Sequence, residues 1–432
     1  MSLKYLGVPN TENMSFALYE GKVSQATQEK MHELMHCHNI VTGCLQELNR
    51  TVPIGTLSLK IDDLFTKCLK KTCEGSSGFT FICNIHKLDV SLITGIAQGM
   101  KISEQELYQR YSALKTELNA RYIFKWSSAY DQSIQLVYNK YYRLFGFVSP
   151  YSFLANKDQE RMLLRHCQQK CDAMENMPDH FQLTYTLGFH GANMKDILQN
   201  GTHLTFSMSD WQNMFFTFGK CSALDIFLGN HDRIMNFQEC RLNPYWNLGN
   251  IMCDYRDRQL FFIDNGIPDK ILPKTIRLPE KTQSHKSVGF GDEMIAEGSD
   301  SEAMAVDEGE GCSGKNDLLS QQEGLVITEA MHAFCSLCFE EYSFKFDSFS
   351  QNLVKLFFKN IVLPQDYHEG LFEEMCLAWR KGCLEMLSSL KSTSLQIWLQ
   401  ILDIEIEKGS VLSCFLSKMI KKNQKIVSQF QP

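Results

Sequence analysis

The pattern of apolar and polar residues divides the chain into a strand-rich first part and a helical second part. Residues 24–49 place leucines and a valine at helical spacing. Short β-prone runs follow, separated by helical stretches: "GFTFIC", "ARYIFKWSS", "VSPYSFLA" and "HFQLTYTLGF". From residue 326 to the end the pattern is helical throughout. This order predicts an α+β fold with two lobes.

Two stretches in the middle of the chain carry the polar residues of greatest interest. "SDWQNMFFTFGKCSALDIFLG" predicts an apolar helix, with Ser209 or Asp210 as its N-cap, that runs into the polar turn "NHDR". "NIMCDYRDRQLFFIDNG" predicts a β-hairpin, because two apolar runs flank a charged turn. The polar turn is either a solvated helix end or part of a site, since buried polar groups need partners. His231 is expected to be its least constrained member.

Residues 287–314 differ in composition from the rest of the chain. They include eight acidic residues and no Lys or Arg. Such a segment has too little apolar surface to bury, so it is interpreted as a flexible acidic loop. The expected organisation is a helical extension at 1–54, a strand-rich lobe at 55–190, and a helical lobe at 191–432 that contains this loop.

Composition narrows the class of protein. The 432 residues are 44% hydrophobic and 22% charged, as in ordinary globular proteins. A net charge of −7 gives no support for nucleic-acid binding. We find no secretory signal and no apolar run long enough to span a membrane. The 16 cysteines are scattered, and the pair Cys335 and Cys338 is interpreted as core residues of a helix. A reducing, cytoplasmic compartment is therefore expected.

Three oxygen-bearing side chains lie at the ends of predicted elements. Asp232 lies where the apolar helix ends, Asn250 where the hairpin begins, and Asp264 where it ends. Because a hairpin returns the chain to its starting point, Asn250 and Asp264 can lie close together. Phosphoryl transfer uses such a set: one carboxylate accepts the proton of the attacking hydroxyl, while an amide oxygen and a second carboxylate hold Mg²⁺.

Lys125 is the candidate cation for the phosphates of ATP. It lies in the apolar run "YIFKWSS". Since a strand alternates its faces, a lone lysine in such a run either snorkels at an edge or faces a bound anion. The presence of Asp232, Asn250 and Asp264 further along the chain favours the bound anion.

At this point the sequence resembles a known family. The segments "GSSGFTF", "YIFKWSS", "LFGFVSP", "LDIFLGNHDR", "NLGNIM" and "FFIDNG" occur in the order found in the actin-fragmin kinase catalytic domain, an atypical relative of the protein kinases and phosphoinositide kinases. The resemblance covers about residues 74–268. It implies a two-lobed protein-kinase-like fold, ATP and Mg²⁺ as cofactors, and a Ser/Thr protein substrate. A cytoskeletal substrate is suggested only by association with the family.

The resemblance also implies roles for individual residues. Lys125 would bind the ATP phosphates, Asp232 would be the catalytic aspartate, and Arg233 would support its loop. Asn250 and Asp264 would be the metal ligands. Gly75 and Gly78 would form the turn that covers the phosphates. Residues 184–188, which include Tyr185 and Leu187, would form the hinge that contacts adenine through backbone groups.

The sequence departs from the family pattern in two places. The family has a Glu that pairs with the strand lysine, and the corresponding position here is Gln135. An amide cannot pair the charge of Lys125, but Asp131, one helical turn earlier, could do so. In addition, about 35 residues separate the glycine turn from the lysine strand, where the family needs only a short hairpin.

Three other functions compete with an active protein kinase. The Gln135 substitution favours a pseudokinase that binds nucleotide or a partner without catalysis. A phosphoinositide kinase ranks lower, because no basic patch for a lipid headgroup is evident. "HELMH", residues 32–36, matches a zinc-hydrolase motif. It lacks the extended metalloprotease pattern, so a solvated helix face is the preferred interpretation.

Overall fold

The structure is a computed structural model, and it describes part of the chain. The described ranges are 69–75, 78–85, 94, 97–98, 101–110, 120–149, 152–154, 160, 164, 167–168, 171, 174, 177, 181–187, 192–238, 241–254, 258–267, 313–339, 343–359 and 370–430. The predicted extension at 1–54, the "HELMH" motif and most of the acidic segment at 287–314 lie outside these ranges. The chain combines helices with small antiparallel sheets, as the predicted α+β class requires.

A five-stranded antiparallel sheet forms the first part of the fold. Its strands occur in the order β1-β2-β3-β5-β4. They are β1 (Leu69–Gly75), β2 (Gly78–Ile85), β3 (Ala120–Ser128), β4 (Ser152–Leu154) and β5 (Phe181–Leu187). The bounds of β3 match the predicted strand 120–128. The alternation also holds, because Phe124 and Trp126 are buried while Lys125 is part-exposed between them.

The long connection between β2 and β3 does not disturb their pairing. Thr80 lies opposite Lys125, and Gly78 lies opposite Ser127. Helix α1 (Glu104–Arg110) is the helix that the structure describes in this connection. At Gly78 a side chain is excluded, since a Cβ would lie 2.0 Å from the main-chain oxygen of Trp126. The spacing that departs from the family pattern is therefore compatible with a regular sheet.

Helix α2 (Ala129–Leu144) joins the sheet to the helical part. Its N-cap is Ser128, whose hydroxyl accepts a hydrogen bond from the Asp131 amide at 3.1 Å. The opposite end packs into the main core, where Tyr141 donates a hydrogen bond to the Trp398 carbonyl at 2.9 Å. Helix α2 therefore bridges the predicted lobe boundary at residue 190.

The segment after β5 positions the polar residues of interest. It contains β6 (Ala192–Asn193), α3 (Met194–Gln199), a 3₁₀ turn (Thr202–Thr205), α4 (Met208–Leu228), β7 (Met235–Gln238), β8 (Arg241–Pro244), a second 3₁₀ turn (Leu248–Asn250), β9 (Ile251–Cys253) and β10 (Leu260–Phe262). The predicted hairpin is confirmed as β9 and β10, with Phe262 opposite Ile251.

The predicted N-cap of α4 is wrong by two residues for Ser209 and by three for Asp210. The N-cap is Ser207 rather than Ser209 or Asp210, and Asp210 completes a capping box from the third helical position. Ser207 can cap because its backbone is extended, with φ −77° and ψ 167°. Three capping residues within four positions made the sequence signal ambiguous.

In the described residues after strand β10 there are five helices, as the sequence predicts from residue 326. They are α5 (Ser313–Phe339), α6 (Ser343–Phe358), α7 (Gly370–Ser392), α8 (Leu395–Glu405) and α9 (Val411–Gln429). Because α5 begins at Ser313, the last two residues of the predicted acidic loop belong to a helix. Cys335 lies on α5 and is fully buried, as the core interpretation predicts, and this burial raises its pKa to about 12.

Helices α4 and α7 cross at a pair of glycines. A Cβ on Gly219 would lie 1.9 Å from the Trp379 carbonyl oxygen, and a Cβ on Gly382 would lie 2.0 Å from that of Phe216. The two backbones can approach this closely only because both positions lack side chains. This crossing fixes the C-terminal end of α4, from which the polar turn emerges.

Candidate functional site

The turn after helix α4 is set by its C-terminal cap. Gly229 has φ +78°, a left-handed conformation that glycine adopts without strain. The amide of Asn230 then donates a hydrogen bond to the carbonyl of Asp225 at 2.8 Å. In consequence Asn230 and His231 are buried, while the next side chain, Asp232, is exposed. His231 was expected to be the least constrained member of this turn, but its side chain is buried whereas that of Asp232 is exposed.

Lys125 and Asp264 meet across 139 residues of sequence. The ammonium nitrogen of Lys125 donates to Asp264 Oδ1 at 2.8 Å. The lysine side chain is 17% exposed and the carboxylate is 48% exposed, so the pair is reached by solvent and does not lie in the core. The charge of Lys125 holds the pKa of Asp264 below its ordinary value. Asp264 is therefore ionised at neutral pH.

Asp232 lies beside Asn250 and Asn247. The amide nitrogen of Asn250 donates to the main-chain oxygen of Asp232 at 3.2 Å and approaches its Oδ2 at 3.5 Å. Asn247 donates to the same Oδ2 at 3.2 Å. Partial burial raises the pKa of Asp232, and the nearby charge of Asp264 raises it further, while the bond from Asn247 lowers it. A carboxylate with a raised pKa is better suited to accept a proton.

Asn250 and Asp264 are brought together by the β9–β10 hairpin. The amide of Ile263 donates a hydrogen bond to the carbonyl of Asn250 at 3.1 Å. Ile263 therefore lies opposite Asn250, and the second candidate metal ligand, Asp264, is the next residue along the chain. The structure therefore gathers Lys125, Asp232, Asn250 and Asp264 at one place. These are the residues for which the sequence predicted phosphate, proton and metal contacts.

A buried guanidinium, that of Arg233, is hydrogen-bonded to residues next to this group of side chains. Arg233 is fully buried and donates from Nη1 to Asp225 Oδ1 at 2.8 Å and to the Tyr142 hydroxyl at 2.8 Å. Its Nη2 donates to the carbonyl of Ile263 at 2.9 Å and to the side-chain oxygen of Asn265. One side chain thus connects the turn that carries Asp232 to both neighbours of Asp264.

Asp264 needs this support because its backbone is strained. Its φ is +54°, a left-handed conformation that non-glycine residues rarely adopt. Asn265 is buried on the other side, where its amide donates to Asn139 Oδ1 at 2.8 Å and to the carbonyl of Phe262 at 3.1 Å. The conformation of Asp264 is therefore held by the residues before and after it.

Asp131 and Gln135, the candidate partners of Lys125 on helix α2, occupy different environments. The carboxylate of Asp131 accepts a hydrogen bond from the Ser128 hydroxyl at 2.8 Å as part of the helix cap. Gln135 is half-buried on the same helix. The ion pair that the structure shows for Lys125 is with Asp264, a metal-ligand candidate, and this pairing was not predicted.

The glycine turn and the hinge candidates lie on the strands that flank β3. Gly75 and Gly78 face each other at the β1–β2 turn. Tyr185 lies opposite Phe124, and Leu187 lies opposite Tyr122, on strand β5. The backbones of all four residues therefore belong to the sheet that carries Lys125.

Several residues of the site were not predicted from the sequence: Asp225, Tyr142, Asn265, Asn247 and Tyr245. A detectable signal existed for Asp225, because a carboxylate in the apolar run "ALDIFL" needs a buried partner. Asn265 directly follows Asp264, so its side-chain amide could have been predicted as a second polar group of the site. Tyr245, which hydrogen-bonds Asp232, carried no comparable signal.

The side chains present fit a magnesium ion. Asn250 and Asp264 offer an amide oxygen and a carboxylate, which are hard donors of the kind Mg²⁺ prefers. Both side-chain hydrogen bonds that the structure shows for Asn250 use its amide nitrogen, which leaves the oxygen for a ligand. Among the described residues, no group of three His, Cys, Asp or Glu side chains is arranged to hold a metal.

The chain was compared with protein-family models and with curated proteins. No protein-family model matches the chain, and no curated protein matches it significantly. Within the described part of the chain, no helix has both the length and the apolar character needed to cross a bilayer.

Proposed function

We propose that this protein is an ATP-dependent phosphotransferase that uses Mg²⁺ and acts on a Ser/Thr hydroxyl of a protein. The observation that carries the proposal is the convergence of Lys125, Asp232, Asn250 and Asp264, which come from four separate segments of the chain. Support also comes from the order of these residues along the chain and from the position of Lys125 on the third strand of the sheet.

Each side chain has a distinct role in this proposal. Magnesium-bound ATP would supply the phosphoryl group and, through the metal, neutralise its charge. Asp232 is exposed and has a raised pKa, so it orients the acceptor hydroxyl and accepts its proton. Asn250 and Asp264 would hold the metal. Arg233 does not touch the reacting atoms, and acts by keeping Asp232 and Asp264 at their separation.

Lys125 neutralises phosphate charge in this scheme. In the structure its ammonium group is bonded to Asp264 Oδ1, which leaves the second oxygen of that carboxylate for the metal. When phosphates enter, they compete with Asp264 for the ammonium group, which has three donors and can serve both. The Lys125–Asp264 pair thus keeps both groups at the site before the nucleotide arrives.

A nucleotide-binding module without catalysis is the second candidate. It is favoured by Gln135, which cannot pair the charge of Lys125, and by the use of Asp131 in the helix cap. A lysine that pairs with a metal-ligand candidate, Asp264, rather than with a carboxylate on helix α2 can bind phosphates without aligning them for transfer. A cytoplasmic setting belongs to both proposals, since ATP is available there and the described cysteines include free thiols such as Cys414.

Transfer of radiolabelled phosphate from ATP distinguishes the two candidates. The parent protein is expected to label itself or a protein of a cell lysate, and Asp232→Asn is expected to reduce transfer by roughly 10²–10⁴-fold. Asp403→Asn, at an exposed position of helix α8, is the matched control and should transfer like the parent. ATP binding without transfer in the parent would instead establish the non-catalytic module.

Variants of helix α2 test the orientation of Lys125. If the amide of Gln135 orients the lysine, Gln135→Glu keeps or raises transfer and Gln135→Ala lowers it. If Asp131 does so, Asp131→Asn lowers transfer and Gln135→Ala has little effect. The hydrogen bond between Asp131 and Ser128 favours the first result.

A further inference from the structure

Helix α9 presents a row of lysines on its exposed side. The residues are Lys418, Lys421, Lys422 and Lys425, and all four are exposed. Their spacing of three and four residues places them within about 100° of arc, along about 10 Å of the helix axis. The opposite side is buried and includes Leu416, Met419 and Ile420. We refer to the four lysines as the α9 basic face.

The charge of this face is not balanced locally. Helix α9 contains no Asp or Glu. None of the ion pairs that the structure shows within its described ranges involves these lysines. The face carries four positive charges on a chain whose net charge is −7, so its attraction for anions is local and directional. This row of lysines was not singled out from the sequence.

We infer that the α9 basic face binds the surface of a membrane that contains anionic lipids. Four lysines on an amphipathic helix are within the range typical of such surfaces. Because the apolar side of α9 is buried in the core, the helix does not insert into the bilayer. The protein adsorbs to the membrane by electrostatic attraction, with the α9 basic face turned toward the lipid headgroups.

The chemistry of the face favours lipid over other anionic partners. Helix α9 contains no Arg, the residue best suited to bidentate recognition of carboxylate or phosphate. It also contains no Trp or Tyr, and its aromatic residue, Phe415, packs against the core, whereas single-stranded nucleic acid is bound by exposed stacking aromatics. The strongest contacts of protein interfaces are enriched in Trp, Tyr and Arg, none of which occurs in helix α9. A row of flexible point charges matches a diffuse layer of headgroups.

Vesicle co-sedimentation tests this inference independently of catalysis. At an ionic strength of about 0.1 M, the protein should bind vesicles of phosphatidylcholine with about 30% phosphatidylserine, and not vesicles of phosphatidylcholine alone. Each lysine near such a surface contributes roughly a fivefold gain in partitioning. We therefore expect Lys421→Ala/Lys422→Ala to bind roughly 25-fold more weakly, and high salt to release the parent protein.

A matched double variant separates this face from general charge. Lys355→Ala/Lys359→Ala changes two exposed lysines four apart, one in the last turn of helix α6 and one just after it; it removes the same charge and should leave binding nearly unchanged. Circular dichroism confirms that both variants are folded. Equal binding by the parent and the α9 variant, or an absence of binding to anionic vesicles, overturns the inference. Binding to polyglutamate or duplex DNA but not to vesicles also overturns it and assigns the face to an acidic protein or a nucleic acid.

Discussion

Replacing Arg233 by lysine tests whether its guanidinium holds the site together. The substitution keeps the positive charge near Asp225 but reduces five N–H donors to three. A compact ammonium group near Asp225 cannot also reach the carbonyl of Ile263 and the side chain of Asn265, which both accept from Nη2. An acceptor left buried without a donor costs about 1–3 kcal/mol, so the expected loss is roughly 2–6 kcal/mol. The total free energy of unfolding of a typical domain is about 5–15 kcal/mol.

Urea denaturation measures this loss as a lower midpoint with an unchanged slope. Arg380→Lys is the matched control, because Arg380 also pairs with a carboxylate, Asp347, but is 27% exposed. An ion pair near the surface contributes at most about 1 kcal/mol, so this control should change little. If Arg233→Lys loses no more stability than Arg380→Lys, the buried network does not support the site, and our account of Asp264 is refuted.

Two other predictions concern packing and pH. Gly219→Ala places a methyl group 1.9 Å from a main-chain oxygen of helix α7. We therefore expect thermal denaturation to show that the free energy of unfolding falls by about 3 kcal/mol or more. Gly370→Ala, which has open space around the added methyl group, is the control and should stay within about 1 kcal/mol of the parent. Asn247→Ala removes a hydrogen bond that lowers the pKa of Asp232, so the acid limb of the pH profile of kcat/KM should move to higher pH. Asn243→Ala, at an exposed position, is the control. A shift to lower pH would contradict the assignment of Asp232 as the proton acceptor.

The elements around the site were predictable where the pattern was regular. Strand β3 alternates buried Phe124 and Trp126 with Lys125, and this period of two defined its bounds from the sequence. The hairpin of β9 and β10 was equally clear, because two apolar runs flank one charged turn. Such signals are local, and local spacing is sufficient to specify them.

The contacts between elements were not predictable from local spacing. Lys125 and Asp264 are 139 residues apart, and the sequence alone favoured a partner on helix α2. The left-handed backbone of Asp264 and its support by Arg233 and Asn265 depend on how α4, α2 and the hairpin pack. Residue type indicated which side chains were candidates for a site, and tertiary packing determined which of them share a hydrogen bond.

The central claim is that Lys125, Asp232, Asn250 and Asp264 form one magnesium–ATP site. Isothermal titration of ATP with and without Mg²⁺ tests it most directly. We expect the parent protein to bind ATP more tightly with Mg²⁺, and Asp264→Ala to lose this magnesium dependence while remaining folded. Asp232→Asn should keep the binding, because its role lies in transfer. ATP binding that is absent in the parent, or equally magnesium-dependent in Asp264→Ala, would contradict the account.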